Sequence, residues 1–300
     1  MNLFNKYYNK FRKHRQNEIK HIVRSEIIIN TIKESAICST NSILNDEQRK
    51  EKIIVSLTTH GDRIHSAHLA IESIARQTVK PDVMVLWLAE DKFSDHTLPI
   101  NIKQQQVRGL SVKYCKDIRS YKKLIYTLKQ YPDDIIITVD DDCIYPTDMI
   151  ERLVNAHQKY PNAICCNLAR QMTLGSDNRF LKYNEWKYCV GANEPSFNVL
   201  PIGVGGVLYF PGCFDPEVFN KKIFNELCAY ADDIWFKVMA VKNNVKSCTV
   251  ISYQDFMNNF ISLDSAFINS LGQMNVISGK NDEQLRQIIK YFDIDIEIFK

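Results

Sequence analysis

The sequence predicts an α/β fold in which a mostly parallel sheet is flanked by helices. Apolar, strand-like runs alternate with amphipathic, helix-like segments from Ile53 to Asn167, and such alternation is typical of successive strand–helix–strand units. The chain has 300 residues, of which 45% are hydrophobic, so it is long and apolar enough for a sizeable core. It contains neither internal repeats nor low-complexity tracts.

Five strands are predicted in the first part of the chain, with the sequences KIIVSL, VMVLWL, LSVKY, DIIITV and NAICCN. Helical spacing of apolar residues lies between them in HLAIESIARQT, SYKKLIYTLKQY and PTDMIERLVNAHQ. Pro81 and Pro132 end the first two helices, and Pro146 lies near the first turn of the third. Beyond residue 167 we predict a glycine-rich turn into a strand, PIGVGGVLYFPG, and two helices, ADDIWFKVMAVKN and NDEQLRQIIKYF, the latter capped by Asn281.

Residues 1–25 form a predicted basic helix. They contain seven Lys or Arg residues against the single Glu18, with aromatic and aliphatic residues close to helical spacing. Two interpretations stay open. The helix lies on an anionic membrane surface, or it is a solvated helix that packs on its own domain.

The net charge and the cysteine content bear on the kind of partner and on the cellular location of the protein. The formal net charge is only +3, which does not indicate a nucleic-acid partner. The nine cysteines are an odd number without a C-x-x-C motif, and the start of the chain lacks an apolar leader. We therefore expect a reducing, cytoplasmic location. The longest apolar runs are too short to span a bilayer.

Three consecutive acidic residues, Asp140–Asp142, follow the fourth predicted strand in IIITVDDDCIYP. Ligands of parallel sheets bind at the carboxyl ends of the strands. Because alternate residues of an extended segment point the same way, Asp140 and Asp142 are expected to face one site and Asp141 the other side. Two such carboxylates suit Mg²⁺ or Mn²⁺ with phosphate oxygens. Asp133 and Asp134, in contrast, follow a proline and fit a turn.

Several uses of such a metal site are disfavoured by the neighbouring sequence. A haloacid-dehalogenase phosphatase needs D-x-D-x-T, but Ile144 stands at the threonine position. A nucleotidyltransferase needs a glycine-rich basic loop after the first strand, whereas LTTHGDRI has a single glycine. A dehydrogenase needs G-x-G-x-x-G opening a helix, whereas GVGGVLYF continues into a strand. The use of the metal site that remains is to assist the departure of a nucleoside diphosphate, as in glycosyl transfer.

Four stretches resemble the GT-A glycosyltransferases, close to the family-2-like enzymes of bacterial surface polysaccharide assembly. They are IIVSLTTHGDRI with AIESIARQT, VLWLAED, IITVDDDCIYP, and GVGGVLYFPG with ADDIWFKVMA. The resemblance implies a GT-A (Rossmann-like) catalytic domain over residues 51–250, with a nucleotide-binding half that ends near residue 167 and an acceptor half after it. Residues 1–50 are then a basic helical extension, and residues 251–300 a C-terminal helical tail.

On the donor side, the resemblance implies that nucleotide-sugar binding involves Thr58, Thr59, Arg63, Asp140, and Glu90 or Asp91. We also expect Lys123, from its position near the strand edge, and Asp141 to take part in nucleotide-sugar binding. The acidic pair after the second strand would meet the nucleotide base. For Lys123 and its neighbour Lys122, a solvated helix face is the default interpretation and a phosphate contact by Lys123 the alternative. Asp142 with Asp140 would hold Mn²⁺ or Mg²⁺. No histidine follows His157 to act as the third ligand that some GT-A enzymes supply.

On the acceptor side, Asp233, with Asp232 beside it, would be the catalytic base, because inverting transfer needs a carboxylate to take the acceptor proton. Asp232 could equally cap the helix that it opens. The Gly203–Gly206 turn allows a sugar to approach the backbone or forms a bulge. Trp186 stacks on a sugar or, as a single Trp more often does, lies in the core.

We therefore expect an inverting glycosyltransferase that uses a nucleotide-sugar donor and Mn²⁺ or Mg²⁺ as cofactor. Among nucleotide sugars, a UDP-sugar is the expected donor. The acceptor would be a glycan or lipid-linked acceptor in capsule, lipopolysaccharide or O-antigen synthesis, at the inner membrane face, with peripheral contact to anionic lipid and no nucleic acid. Two alternatives stay open: a retaining transferase of the same fold, and a non-catalytic glycan- or membrane-binding protein.

Overall fold

The computed structural model describes residues 2–267 and 279–300. In that part of the chain the strands are β1 (Ile53–Thr58), β2 (Val83–Ala89), β3 (Leu110–Cys115), β4 (Ile135–Thr138), β5 (Cys143–Ile144), β6 (Ala163–Cys166), β7 (Ala169–Gln171), β8 (Val199–Pro201), β9 (Val207–Tyr209), β10 (Lys246–Thr249) and β11 (Ile261–Ser262). The helices are α1 (Asn2–Cys38), α2 (Ile64–Ala75), α3 (Ile100–Val107), α4 (Lys122–Gln130), α5 (Met149–Lys159), α6 (Lys221–Leu227), α7 (Asp232–Lys242), α8 (Tyr253–Asn259) and α9 (Lys280–Tyr291).

Seven of these strands form one sheet in the order β10–β6–β9–β4–β1–β2–β3. All neighbouring pairs are parallel except those of β9, which runs antiparallel to both β4 and β6. Val207 at the start of β9 lies opposite Thr138 and Cys166. The carboxyl ends of β3, β2, β1, β4, β6 and β10 therefore share one edge of the sheet with the beginning of β9. The prediction of a mostly parallel sheet flanked by helices is confirmed.

The sheet separates two apolar clusters. Ile54 and Ile136 belong to the cluster that contains residues of α4, α7 and α9, whereas Val55 and Ile137 belong to the cluster that contains residues of α2 and α5. Successive side chains of a strand point to opposite faces. Because helices cover both faces, the strands are apolar at consecutive positions, which made them visible in the sequence.

Helix α1 is the predicted N-terminal helix, and its second half packs on the domain. Ile32 is buried in a cluster with Leu69, Ile144 and Leu263. Nearer the N-terminus, the apolar side chains that the structure describes are exposed: Tyr8, Phe11, Ile19, Ile22 and Val23. Packing on the protein thus accounts for the later part of α1. Among the described residues, none of the helices is both long and apolar enough to cross a membrane.

Three local expectations differ from the structure, and one is confirmed. The N-cap of α9 is Gly279 in a left-handed conformation, so Asn281 lies within the helix. The N-cap of α7 is Ala231, so Asp232 does not cap it. Helix α5 begins at Met149, which places Pro146 before the helix rather than in its first turn. Trp186 is 2% exposed and lies in the core, as a single Trp usually does.

Candidate active site

A cavity of about 590 Å³ lies at the carboxyl edge of the sheet. Its walls come from the segments that follow β1, β3 and β4, from the glycine turn before β9, and from the start of α7. The predicted site residues that line it are Thr58, Thr59, Arg63, Lys123, Asp140, Asp141, Asp142, Asp232 and Asp233. Residues separated by up to 175 positions in the chain are thereby brought into one site.

The three consecutive Asp residues all face this cavity. The guanidinium Nη2 of Arg63 lies 2.6 Å from Asp141 Oδ1 and also contacts Asp142 Oδ2. The Thr59 hydroxyl donates a hydrogen bond to Asp141. The expectation that Asp141 faces the other side is wrong, because β4 ends at Thr138 and the alternation of an extended strand ends with it.

The charge of the Asp run is only partly compensated. Burial raises the pKa of Asp141 to about 7, although Arg63 opposes the shift. Burial and the neighbouring Asp140 also raise the pKa of Asp142, again against Arg63. Asp142 Oδ1 is buried without a hydrogen-bond partner among the described residues. A further cation would stabilise these carboxylates.

A divalent ion fits this donor set. Asp142 and Asp140 offer hard carboxylate oxygens, and the unpartnered Asp142 Oδ1 is the atom that a cation would satisfy. Within residues 2–267 and 279–300, no group of three or more His, Cys, Asp or Glu side chains is arranged to hold a metal. A bound ion would therefore need most of its ligands from a bound molecule and water, as is common for Mg²⁺.

Lys122 and Lys123 are buried, so the default interpretation of a solvated helix face is wrong for both. Lys123 Nζ lies 2.5 Å from Asp140 Oδ1 and 3.7 Å from Asp232 Oδ2. Burial acts to lower the pKa of Lys123, but the nearby carboxylates raise it above its usual value. Lys123 is therefore a charged group at the centre of the cavity.

Asp233 approaches the same point from the first turn of α7. The Gly203 amide donates to both carboxylate oxygens of Asp233, at 3.2 and 3.1 Å. A Cβ atom placed on Gly203 would lie 3.1 Å from Asp233 Oδ1, 3.1 Å from Lys123 Nζ and 3.8 Å from Asp140 Oδ2. Burial and Asp232 raise the pKa of Asp233 to about 7. A carboxylate with this pKa can accept a proton at neutral pH.

Glu90 and Asp91 do not line the cavity, contrary to the expectation that they meet the base. Both are exposed, because β2 ends at Ala89 and the chain turns there through a hydrogen bond from the Lys92 amide to the Ala89 carbonyl. The residue of this turn that reaches the cavity is Lys92.

Asp117, which sequence reasoning missed, organises the end of the cavity near β3. Its carboxylate accepts hydrogen bonds from Lys92 Nζ at 2.5 Å, Lys122 Nζ at 2.6 Å and the Arg119 amide at 2.9 Å. Burial acts to raise the pKa of Asp117, but these bonds hold it below its usual value. Asp117 comes two residues after β3, as Asp140 comes two residues after β4, so the rule that identified Asp140 would also have identified Asp117.

The opposite end of the cavity is aromatic and was not predicted. The guanidinium carbon of Arg170, on β7, lies 4.9 Å from the ring centroid of Tyr183 and 4.1 Å from that of Tyr188. Tyr188 also stacks on Tyr253 with centroids 4.2 Å apart. The segment around Tyr183 and Tyr188 has no regular period in sequence, so no pattern could have identified it.

Similarity to known protein structures extends over most of the chain. Among solved structures, it is similar to a mannosyltransferase, PcManGT from Pyrobaculum calidifontis, described in complex with GDP-Man and Mn²⁺, with 10% identity, a TM-score of 0.48, and coverage of 92% of this chain and 74% of that chain. It is also similar to a 4-diphosphocytidyl-2C-methyl-D-erythritol synthase, with 12% identity, a TM-score of 0.41, and coverage of 73% and 97%.

A third similar structure is the inositol-1-phosphate CTP transferase from T. maritima, with 10% identity, a TM-score of 0.42, and coverage of 81% of this chain and 98% of that chain. The search of curated proteins found no match. The family model described as Glycosyl transferase family 2 matches residues 61–227. Because this match covers more than half of the 300 residues, the chain belongs to glycosyl transferase family 2.

Proposed function

We propose that the protein is an inverting glycosyltransferase that moves a sugar from a nucleotide-sugar donor to a hydroxyl group of a glycan or lipid-linked acceptor. The observation that carries this proposal is the convergence of Asp233, Lys123 and Asp140 on one point beside Gly203. A proton acceptor and the groups that would stabilise a leaving diphosphate thus lie together beside Gly203, where a Cβ atom would crowd both Asp233 and Lys123.

In this mechanism Asp233 takes the proton of the acceptor hydroxyl as that oxygen attacks the sugar. The two hydrogen bonds from Gly203 orient its carboxylate, and Asp232 keeps its proton affinity high. The diphosphate leaves on the other side of the sugar. Lys123, which stays charged, stabilises the negative charge that develops there.

Asp142 and Asp140 are the residues that would hold Mn²⁺ or Mg²⁺. When bound, such an ion neutralises charge on the leaving diphosphate. Arg63 then orients Asp142 through the contact between them and shares the charge of Asp141. Thr58 and Thr59 line the cavity beside these carboxylates, where we place the nucleotide.

Resemblance to the surface-polysaccharide enzymes supports a UDP-sugar as donor, and a capsule, lipopolysaccharide or O-antigen glycan as acceptor. For the nucleotide base, the cavity end around Asp117 replaces Glu90 and Asp91 in the proposal, because Asp117 and its partner Lys92 line the cavity. The nucleotide base would meet charged hydrogen-bond donors there.

Cytoplasmic location with peripheral contact to the inner membrane face is supported by α1. Phe11 and Ile22 are exposed on a helix whose surrounding charges are mostly basic. We expect the double variant Phe11→Asp, Ile22→Asp of the full chain to lose sedimentation with anionic phosphatidylglycerol vesicles. Equal sedimentation of variant and wild type would contradict the membrane contact.

The decisive experiment measures binding and hydrolysis of UDP-, GDP- and CDP-sugars with Mn²⁺, with Mg²⁺ and with EDTA. One donor should bind in a metal-dependent manner, and Asp142→Asn should abolish that dependence. Asp233→Asn should still bind the donor while turnover falls by roughly 10²–10⁴-fold, the usual contribution of a general base. Asp133→Asn, an exposed turn residue, is the matched control and should behave as wild type.

Two results would refute the proposal. One is the absence of binding to every nucleotide sugar by the wild type. The other is unchanged turnover in Asp233→Asn, since an inverting mechanism cannot proceed normally without its base.

A further inference from the structure

Arg170 differs from the cations near the Asp run. Arg63 and Lys123 each pair with aspartates of the cavity. Arg170 has no ion pair with an acidic side chain in residues 2–267 and 279–300. Residues 268–278 contain no Asp or Glu. Its charge in the cavity wall is thus left without a carboxylate of this chain.

The guanidinium of Arg170 is held in one orientation. Nη1 donates to the carbonyl oxygens of Trp186 at 2.7 Å and Tyr183 at 3.4 Å, and Nη2 donates to the Tyr188 hydroxyl at 3.0 Å. The rings of Tyr183 and Tyr188 both pack against it. Nε is buried and has no hydrogen-bond partner among the described residues. Nε and one N–H of Nη2 are therefore left without a hydrogen-bond partner among the described residues.

Arg170 lies at the end of the cavity where we place the acceptor. Arg170 follows β6, which lies beyond β4 and β9 in the sheet, whereas Asp117 follows β3 at the opposite side. Burial raises the pKa of Tyr183, the charge of Asp233 adds to the shift, and the charge of Arg170 opposes it. Arg170, Tyr183 and Asp233 all line the same cavity, so a group bound at Arg170 would share that cavity with the proposed base.

We propose that Arg170 binds an anionic group, a carboxylate or a phosphate, that is carried by the acceptor. This deepens the proposed function and rests on it, since it assigns an acidic or phosphorylated acceptor to the same site. Guanidinium groups recognise planar carboxylates and phosphates through two parallel N–H donors. Nε and one N–H of Nη2 are the guanidinium donors without a partner among the described residues, so these are the donors that such an anion would use. Binding would supply a counter-charge that no acidic side chain of the described residues supplies.

The test compares three probes on the full-length protein by ligand-observed NMR titration: methyl β-D-glucoside, methyl β-D-glucuronide and glucose 1-phosphate. We expect one or both anions to bind at least about 10-fold more tightly than the glucoside, which is the size of a hydrogen bond to a charged group. The anionic probe that binds more tightly shows whether the recognised group is a carboxylate or a phosphate.

Two variants distinguish anion binding at Arg170 from anion binding at other positively charged side chains. Arg170→Gln should reduce the preference to within about 2-fold, and Lys187→Gln, which removes an exposed charge from the same segment, should keep it. The proposal is overturned if the wild type binds the glucoside as tightly as both anions, a result that needs no variant. It is also overturned if the preference survives in Arg170→Gln, since the anions then bind elsewhere.

The donor panel on the wild type keeps the two proposals distinguishable. Absence of an anion preference in the wild type, together with a normal donor response, would overturn only the role of Arg170. Absence of any donor response would overturn the glycosyl transfer on which that role depends.

Discussion

Replacement of Lys237 by Met should stabilise the protein at neutral pH. Lys237 lies on α7, one helical turn after Asp233, and is 2% exposed. Its Nζ donates to Ser247 Oγ at 3.1 Å, and no acidic side chain of the described residues forms an ion pair with it. Burial lowers the pKa of Lys237 from 10.5 to about 7. Met has a similar length and needs no hydration.

The magnitude follows from proton linkage. The unfolded chain binds more protons than the folded one between the two pKa values, so wild-type stability rises with pH through that window and the penalty is greatest below it. A difference of about 3.5 pKa units at about 1.4 kcal/mol each corresponds to a penalty of roughly 4–5 kcal/mol near pH 7. Loss of the Ser247 hydrogen bond offsets about 1 kcal/mol. We expect a net stabilisation of roughly 3–4 kcal/mol.

Urea unfolding of wild type and Lys237→Met, monitored from about pH 6 to about pH 9, measures this difference. It should shrink by roughly 2 kcal/mol between about pH 7 and about pH 9, because wild-type Lys237 loses its penalty as the pH rises. Lys246→Met, at an exposed position of the neighbouring strand, is the control and should show little change. A destabilised Lys237→Met, or a difference independent of pH, would show that Lys237 is charged and accommodated.

Two further predictions concern the site and the core. Gly203→Ala should lower turnover by about 10–100-fold at unchanged melting temperature, because its Cβ would lie 3.1 Å from Asp233 Oδ1 and Lys123 Nζ and displace both; wild-type kinetics would refute the convergence of these groups. Arg108→Met should destabilise by about 3–5 kcal/mol in urea unfolding, since it leaves the fully buried Glu72 without its bidentate partner. A smaller loss in the double variant Glu72→Gln, Arg108→Met would confirm that the unpaired charge is the cause.

The first half of the sheet was predictable because its strands are covered on both faces. Residues such as Val85 and Ile137 have no exposure, so whole strands are apolar and stand out in the sequence. Helix α3 was not predicted, since INIKQQQV buries only Ile102 and Gln105. The short strands β5 and β11 pair across more than 110 residues, and nothing in either segment indicates the partner.

Part of the site was predictable for a similar reason. The position of Asp140 at the end of an apolar strand is a local property, and the rule that parallel sheets bind ligands at that edge is general. Glu90 satisfies the same rule and nevertheless lies outside the cavity. The rule locates an edge, whereas the turn after each strand decides which side chain reaches the ligand.

The sequence by itself determined the fold class, the edge of the sheet that holds the site, and the acidic character of that site, because these depend on hydrophobic periodicity and strand order. Only the tertiary structure decided which Lys and Arg side chains of the site are buried and which are paired with carboxylates. Lys123 is buried beside carboxylates from the segment after β4 and from α7, whereas Arg170 forms no ion pair with an acidic side chain of the described residues. Burial and charge compensation depend on neighbours distant in the chain, and local sequence does not carry that information.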